Sequence, residues 1–227
     1  MKKFAFYCAV LAAFATSATL AQDSAKPVEV GVTKFKADER AALRAELEAI
    51  FETDQQGRKA ANAAKTAEEK NALWEKQALI DTANQARVEA IIKQFGWPGQ
   101  TEFGAKATMA AFLVLQHAPL EIQKRHFLTL QKAMESGELR KADFALFDDR
   151  VRIREGRPQL YGSQVASNRK SFQLIEDEVN VDKRRAAMGL QPLAQYAKLF
   201  SFEYIPVSER KATTSVVDKP LLSDVKK

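Results

Sequence analysis

The sequence predicts a mainly α-helical domain, compact around one central apolar helix, with a single small β-hairpin near residues 150–165. Three observations carry that expectation. From Asp38 onward, apolar residues recur at helical spacing through most of the chain. The run from Met109 to Leu115 is apolar on every side, as an enclosed helix must be, and at this length it does not span a bilayer. Around Val151 and Ile153 the period shortens to two, which is that of a strand.

The first residues, MKKFAFYCAVLAAFATSATLAQD, read as a signal peptide over residues 1–21. Lys2 and Lys3 precede an apolar stretch from Phe4 to Phe14, and small residues lead to cleavage after Ala21. The expected location is therefore the periplasm or the exterior, with no membrane span left after cleavage. The one cysteine, Cys8, falls inside this segment behind a bulky Tyr7, which argues against lipid attachment. Disulfides, thiol nucleophiles and cysteine-bound metals are thereby excluded from the rest of the chain. Residues 22–37, with Pro27 and Gly31, read as an exposed leader, 38–200 as one helical domain, and 201–227 as a partly disordered C-terminal extension.

Within the domain, Leu43, Leu47, Ile50 and Phe51 mark a first helix that Gln56-Gly57 is expected to interrupt. Thr66-Ala67-Glu68-Glu69 is a capping-box sequence opening a longer second helix. Trp74, Leu79 or Ile80, Val88, Ile91 and Ile92 line its inner side, and Gly96-Trp97-Pro98 stops it. The central helix begins near Phe103 and ends at Gln116-His117-Ala118. Pro119 opens a fourth helix, packed through Ile122, Phe127, Leu128 and Leu130 and closed by Gly137. A shorter helix with Phe144, Leu146 and Phe147 precedes the hairpin, whose turn is Glu155-Gly156 and whose return strand runs through Pro158 to Tyr161. Phe172 to Ile175 adds a short strand, and residues 182–199 return to helix, broken at Gly189-Leu190-Gln191-Pro192.

Charge excludes one class of partner. Net charge is +6, of which Lys2 and Lys3 supply two, and the remaining signs alternate along helix faces with no basic block and no interleaved aromatics. Nucleic acid is not an expected partner. His117 and His126 lack paired metal-ligand spacing, and there is neither a GxGxxG motif nor a P-loop, so no metal and no cofactor is expected.

What remains is a polar set. Taken in order, Asp54-Gln55 with Arg58, Asn84, Gly96-Trp97-Pro98, Gly104, Gln116-His117-Ala118, Gln123, Asp149-Arg150, Gly156, Gln159-Leu160-Tyr161-Gly162-Ser163-Gln164, Arg184-Arg185, and Gly189-Leu190 with Tyr196 form a series. This ordered set resembles the uncharacterised bacterial family catalogued as domain of unknown function 6624, over about residues 40 to 197. Ser163 stands where that family usually has Thr, and Pro119 where an acidic residue often follows the His-Ala pair. The resemblance implies a domain definition and motif positions, and no chemistry.

From the residues themselves, the candidate ligand-binding set is Gln116, His117, Gln123, Asp149, Arg150, Gln159, Tyr161, Ser163, Gln164, Arg184 and Arg185. His117 ends the central helix, where the macrodipole favours an imidazolium. Three readings stay open. The leading one is a cleft for a small polar or anionic ligand around His117, Asp149 and Tyr161. The second is a metal-independent envelope hydrolase with His117 and Asp149 as catalytic pair. The third is a non-catalytic interaction domain whose unknown protein partner meets the arginine row 150, 152 and 154. Beside them stands a purely structural network in which the glutamines satisfy loop backbone.

Overall fold

The computed structural model describes residues 36–210. The expected signal peptide at 1–21, nearly all of the expected leader at 22–37, and residues 211–227 lie outside the described residues. Among the described residues the chain forms eight α-helices, none long and apolar enough to cross a membrane.

Helix α1 (Ala37–Ala63) buries one stripe, Leu43, Leu47, Asp54, Arg58 and Ala61, whose apolar beginning turns polar halfway along. The expected break at Gln56-Gly57 does not occur. One glycine costs a helix only about 1 kcal/mol relative to alanine, and here its lack of a side chain is used. A Cβ on Gly57 would collide with the Gln77 carboxamide of α2 (Ala67–Phe95), so the glycine lets the two antiparallel helices close.

Helix α2 opens with half of the expected capping box: the Thr66 hydroxyl accepts from Glu69 N–H at 3.1 Å, while the Glu69 carboxylate accepts at 3.1 Å from Lys65 N–H, one residue before the N-cap. Gly96, with φ of 82°, ends it. Of the paired alternatives on its inner face, Ile80 is half-buried and Leu79 points to solvent. A single turn, α3 (Gln100–Phe103), leads through Gly104 into the central helix α4 (Ala105–His117), which is enclosed from Ala110 to Gln116. Helix α5 (Leu120–Glu135) starts behind Pro119 and packs through Leu130 and Phe127, with Leu128 outward.

Helix α6 (Lys141–Arg154) corrects the predicted hairpin. Val151 and Ile153 belong to its last turn, and Val151 is buried on the stripe of Phe144 and Phe147. Four alternating residues are too few to separate a strand's period from one helical turn flanked by arginines. Gly156, with φ of 76°, closes the helix by donating to Ile153 O at 3.1 Å. The described residues contain no strand. Two isolated bridges, Gln159 with Ile175 and Val165 with Phe172, are all that the expected strands at 157–161 and 172–175 become.

Helices α7 (Val181–Ala187) and α8 (Leu193–Lys198) flank the expected break at Gly189–Pro192. They build a second, smaller core from Ile175, Val181, Leu193 and Tyr196. The beginning of the C-terminal extension joins it: Phe202 meets Phe172 edge-on at 5.0 Å, and Tyr204 donates to Glu178 at 2.8 Å.

Candidate functional site

Two polar clusters occupy this frame, joined by α6. The first is the loop Arg157 to Gln164. At its centre Asp149, fully buried on α6, accepts from the backbone N–H groups of Leu160 at 2.7 Å, Tyr161 at 3.0 Å and Ser163 at 2.8 Å. The Ser163 side chain adds a further hydrogen bond. Burial pushes the carboxyl up from its ordinary range, and these donors pull it back.

The rest of the loop is stitched in the same way. The Gln159 amide donates to Gln164 O and Gln173 O at 2.9 Å each and accepts from Gln164 N–H at 2.7 Å, while Gln164 reaches the Ser163 hydroxyl. Arg184 donates to Leu160 O at 2.8 Å and to the carbonyls of Glu176 and Asp177. Arg185, buried, bridges Tyr161 O and Gln191 O at 2.6 Å each and stacks over Tyr196. The structure thus brings together Asp149, Gln159, Tyr161, Ser163, Gln164, Arg184 and Arg185. Most of the hydrogen bonds of their side chains hold backbone.

His117 lies elsewhere. Among the described residues no hydrogen bond or ion pair links it to Asp149 or Tyr161; its Nδ1 stands 3.9 Å from Asp54 Oδ1 of α1. Asp54 also accepts from Arg58 Nε at 2.9 Å and from Gln55 at 2.8 Å. Arg58 reaches Asp81 of α2 at 2.6 Å, and Gln77 joins both acids. Arg154 arrives from α6, donating to Ala118 O at 2.7 Å.

Electrostatics reverse the expectation for His117. Burial, followed by the charges of Arg58, Arg150 and Arg154, holds its imidazole well below the usual histidine range, so it is neutral. The helix-end dipole, which pulls the other way, is worth at most about 1 kcal/mol at such a site. Asp54 is pushed up by its burial, against the pull of Arg58. Arg154 is brought down to about 10 by burial and by the like charge of Arg150.

The arginine row also resolves differently from a strand face. Arg150 and Arg154, four apart on a helix, both act on His117, whereas Arg152 turns to Asp148 and Glu176. Gln116 sits between these features. One turn before it Phe112 meets Phe147 of α6, and two residues after it Ala118 meets Arg154, so α4 and α6 run in the same direction past Gln116. It is 1% exposed, and in its present orientation neither end of its carboxamide has a hydrogen-bond partner. His117 Nδ1 is likewise unpaired. Gln123 caps α4, donating to Gln116 O at 2.8 Å.

Sequence reasoning took His117, Gln116 and Arg150 into the site and left out Asp54, Arg58, Gln77, Asp81 and Arg154. The signal for Asp54 and Arg58 was their burial-compatible spacing on the stripe of Leu43 and Leu47. His126 is separate, 3.0 Å from Glu89. Among the described residues no group of three or more His, Cys, Asp and Glu is placed to hold a metal ion.

These features define a class: an all-helical domain in which a stitched loop supports one face of α6 and a buried, arginine-rich polar cluster occupies the other. The chain belongs to the family of unknown function DUF6624, whose model matches residues 41–205. No curated protein and no solved structure matches it.

Proposed function

We propose that this chain is an exported helical domain that binds a small polar or anionic ligand at the end of α4, among Arg58, Gln116, His117 and Arg150, with the Asp149–Tyr161 loop as its scaffold. One observation carries the reading. A carboxamide that is 1% exposed and unpaired at both ends sits beside an imidazole on which three guanidiniums act. Unpaired buried polar groups cost about 1–3 kcal/mol each, and crowded like charges add to that. An oxyanion accepting from the Gln116 Nε2 amide and from the arginines pairs the donor end of the carboxamide and offsets the like-charge cost. Export is the reading of the first residues, MKKFAFYCAVLAAFATSATLA.

The hydrolase reading has less support. Ser163 is engaged by Asp149, and a histidine held well below its usual range is a weak base. Calorimetric titration of inorganic phosphate and of acetate into the full chain tests the proposal. Saturable binding of one or both, weakened at least about tenfold in Arg150→Gln, is the expected result for a lost charge-assisted pair. No saturable heat with either anion overturns it.

A further inference from the structure

The polar cluster around His117 lies on the same three helices, α1, α4 and α6, as an open cleft. That cleft, about 420 Å³, is lined by Phe51 and Gln55 of α1, Lys106 and Met109 of α4, and Leu139 and Arg140 at the start of α6. Its size falls within the range of small-molecule sites. Helix α1 keeps company with α4 at both ends, through Lys106 with Glu52 at 2.6 Å and through His117 with Asp54. Helix α6 does the same, through the cleft wall at Arg140 and through Arg154 on Ala118 O. Gln55 joins the two places directly: it lines the cleft and donates to Asp54, the neighbour of His117.

The two places differ in what they offer. In the cleft the polar groups are already used. Thr108 donates to Pro98 O at 2.8 Å, Gln100 to Gly137 O at 2.6 Å, and Arg140 grips Asp143 with two bonds of 2.7 Å. Gln55 is bound to Asp54 and Lys106 to Glu52, and the apolar part of the lining is Phe51, Ala105, Met109 and Leu139. At the His117 end the reverse holds, with unpaired amide and imidazole atoms among guanidiniums. Along α4, Met109 and His117 are separated by about 12 Å at 1.5 Å per residue.

Resting on the function proposed above, we propose that the ligand is a short amphiphilic carboxylate. Its head sits among Arg58, Gln116, His117 and Arg150, and its acyl tail runs back past Gln55 into the cleft between Phe51 and Met109.

Octanoate and acetate, titrated into the full chain, separate the tail from the head. Octanoate should bind on the order of 100-fold tighter than acetate, as several buried methylenes dictate. Ala105→Trp, at an exposed residue of the cleft wall, should return octanoate to acetate's affinity and leave acetate unaffected. Equal affinity of the two acids in the parent chain overturns the tail and leaves the oxyanion site standing. Binding of neither overturns both. If Ala105→Trp fails to fold, a nitroxide-bearing octanoate decides the matter in the parent chain: the Met109 methyl resonance should broaden on binding, and its staying sharp at saturation overturns the placement.

Discussion

The loop at 157–164 and the end of α4 are built from the same kinds of residue, a buried aspartate, glutamines and arginines, yet they use them in opposite ways. Around Asp149 the polar atoms close on one another and on backbone. Around His117 a fully enclosed carboxamide and a ring nitrogen are left over. Polar satisfaction is what folding selects, because each orphaned group costs stability. A region that departs from it while its neighbour observes it is the region free to serve something else. Residue type alone therefore does not separate scaffold from site; the state of the hydrogen bonds does.

The largest effect that follows is on the scaffold. Asp149→Ala deprives three backbone N–H groups and the Ser163 side chain of their acceptor at once, within a site that is 0% exposed. A loss of roughly 3–5 kcal/mol in urea-unfolding stability is expected. A loss under about 1 kcal/mol would erase the contrast, since the loop would then hold its shape without its central anion.

The same comparison explains what was legible in the sequence. Helices α2, α4 and α5 announce themselves through capping residues, apolar runs and terminal glycine or proline, all local signals. The Gln159–Gln164 stretch was legible as a polar cluster, but its pairing was not, because Asp149 finds its partners 11 to 14 residues away. The hairpin failed for the complementary reason. Alternating arginines at 150, 152 and 154 imitate a strand, and only α6 as a whole shows that Arg150 and Arg154 share a face toward His117 while Arg152 serves Asp148. Asp54 and Arg58 stand in the ordered polar series but not in the candidate ligand-binding set, because charged residues on a helix are expected in water, whereas here Asp81 and Gln77 of α2 make their burial tolerable.

A mid-sized effect sharpens the comparison from the other side. Replacing a satisfied buried polar group costs stability, whereas replacing an unsatisfied one by an apolar group of similar shape is neutral or favourable. Gln116→Met should therefore leave stability unchanged or raise it by up to about 1 kcal/mol, while weakening anion capture. A drop of more than about 2 kcal/mol in the melting or urea analysis would mean that the Gln116 amide is paired after all, and the end of α4 would join the loop as scaffold.

The smallest effect is a slope against pH. The folded protein holds His117 well below the usual histidine range, through burial and the charges of Arg58, Arg150 and Arg154, with the Asp54 carboxylate 3.9 Å from its Nδ1 and Asp81 beyond it on Arg58. An unfolded histidine takes up its proton near pH 6.5. Below that pH the unfolded chain binds a proton that the folded chain refuses, so the contribution of His117 is fully present above about 6.5 and is lost as pH falls. Buried Asp54, Asp143, Asp148 and Asp149, all pushed up, act in the opposite direction at lower pH, because their folded forms accept protons more readily than the unfolded ones. The informative quantity is thus the difference between the parent chain and His117→Gln, measured by urea unfolding from pH 7.5 down to 5. That difference should shift steadily in favour of the variant as pH falls below about 6.5. A difference independent of pH would place the imidazole in water, and with it the unpaired atoms that set the end of α4 apart from the Asp149 loop.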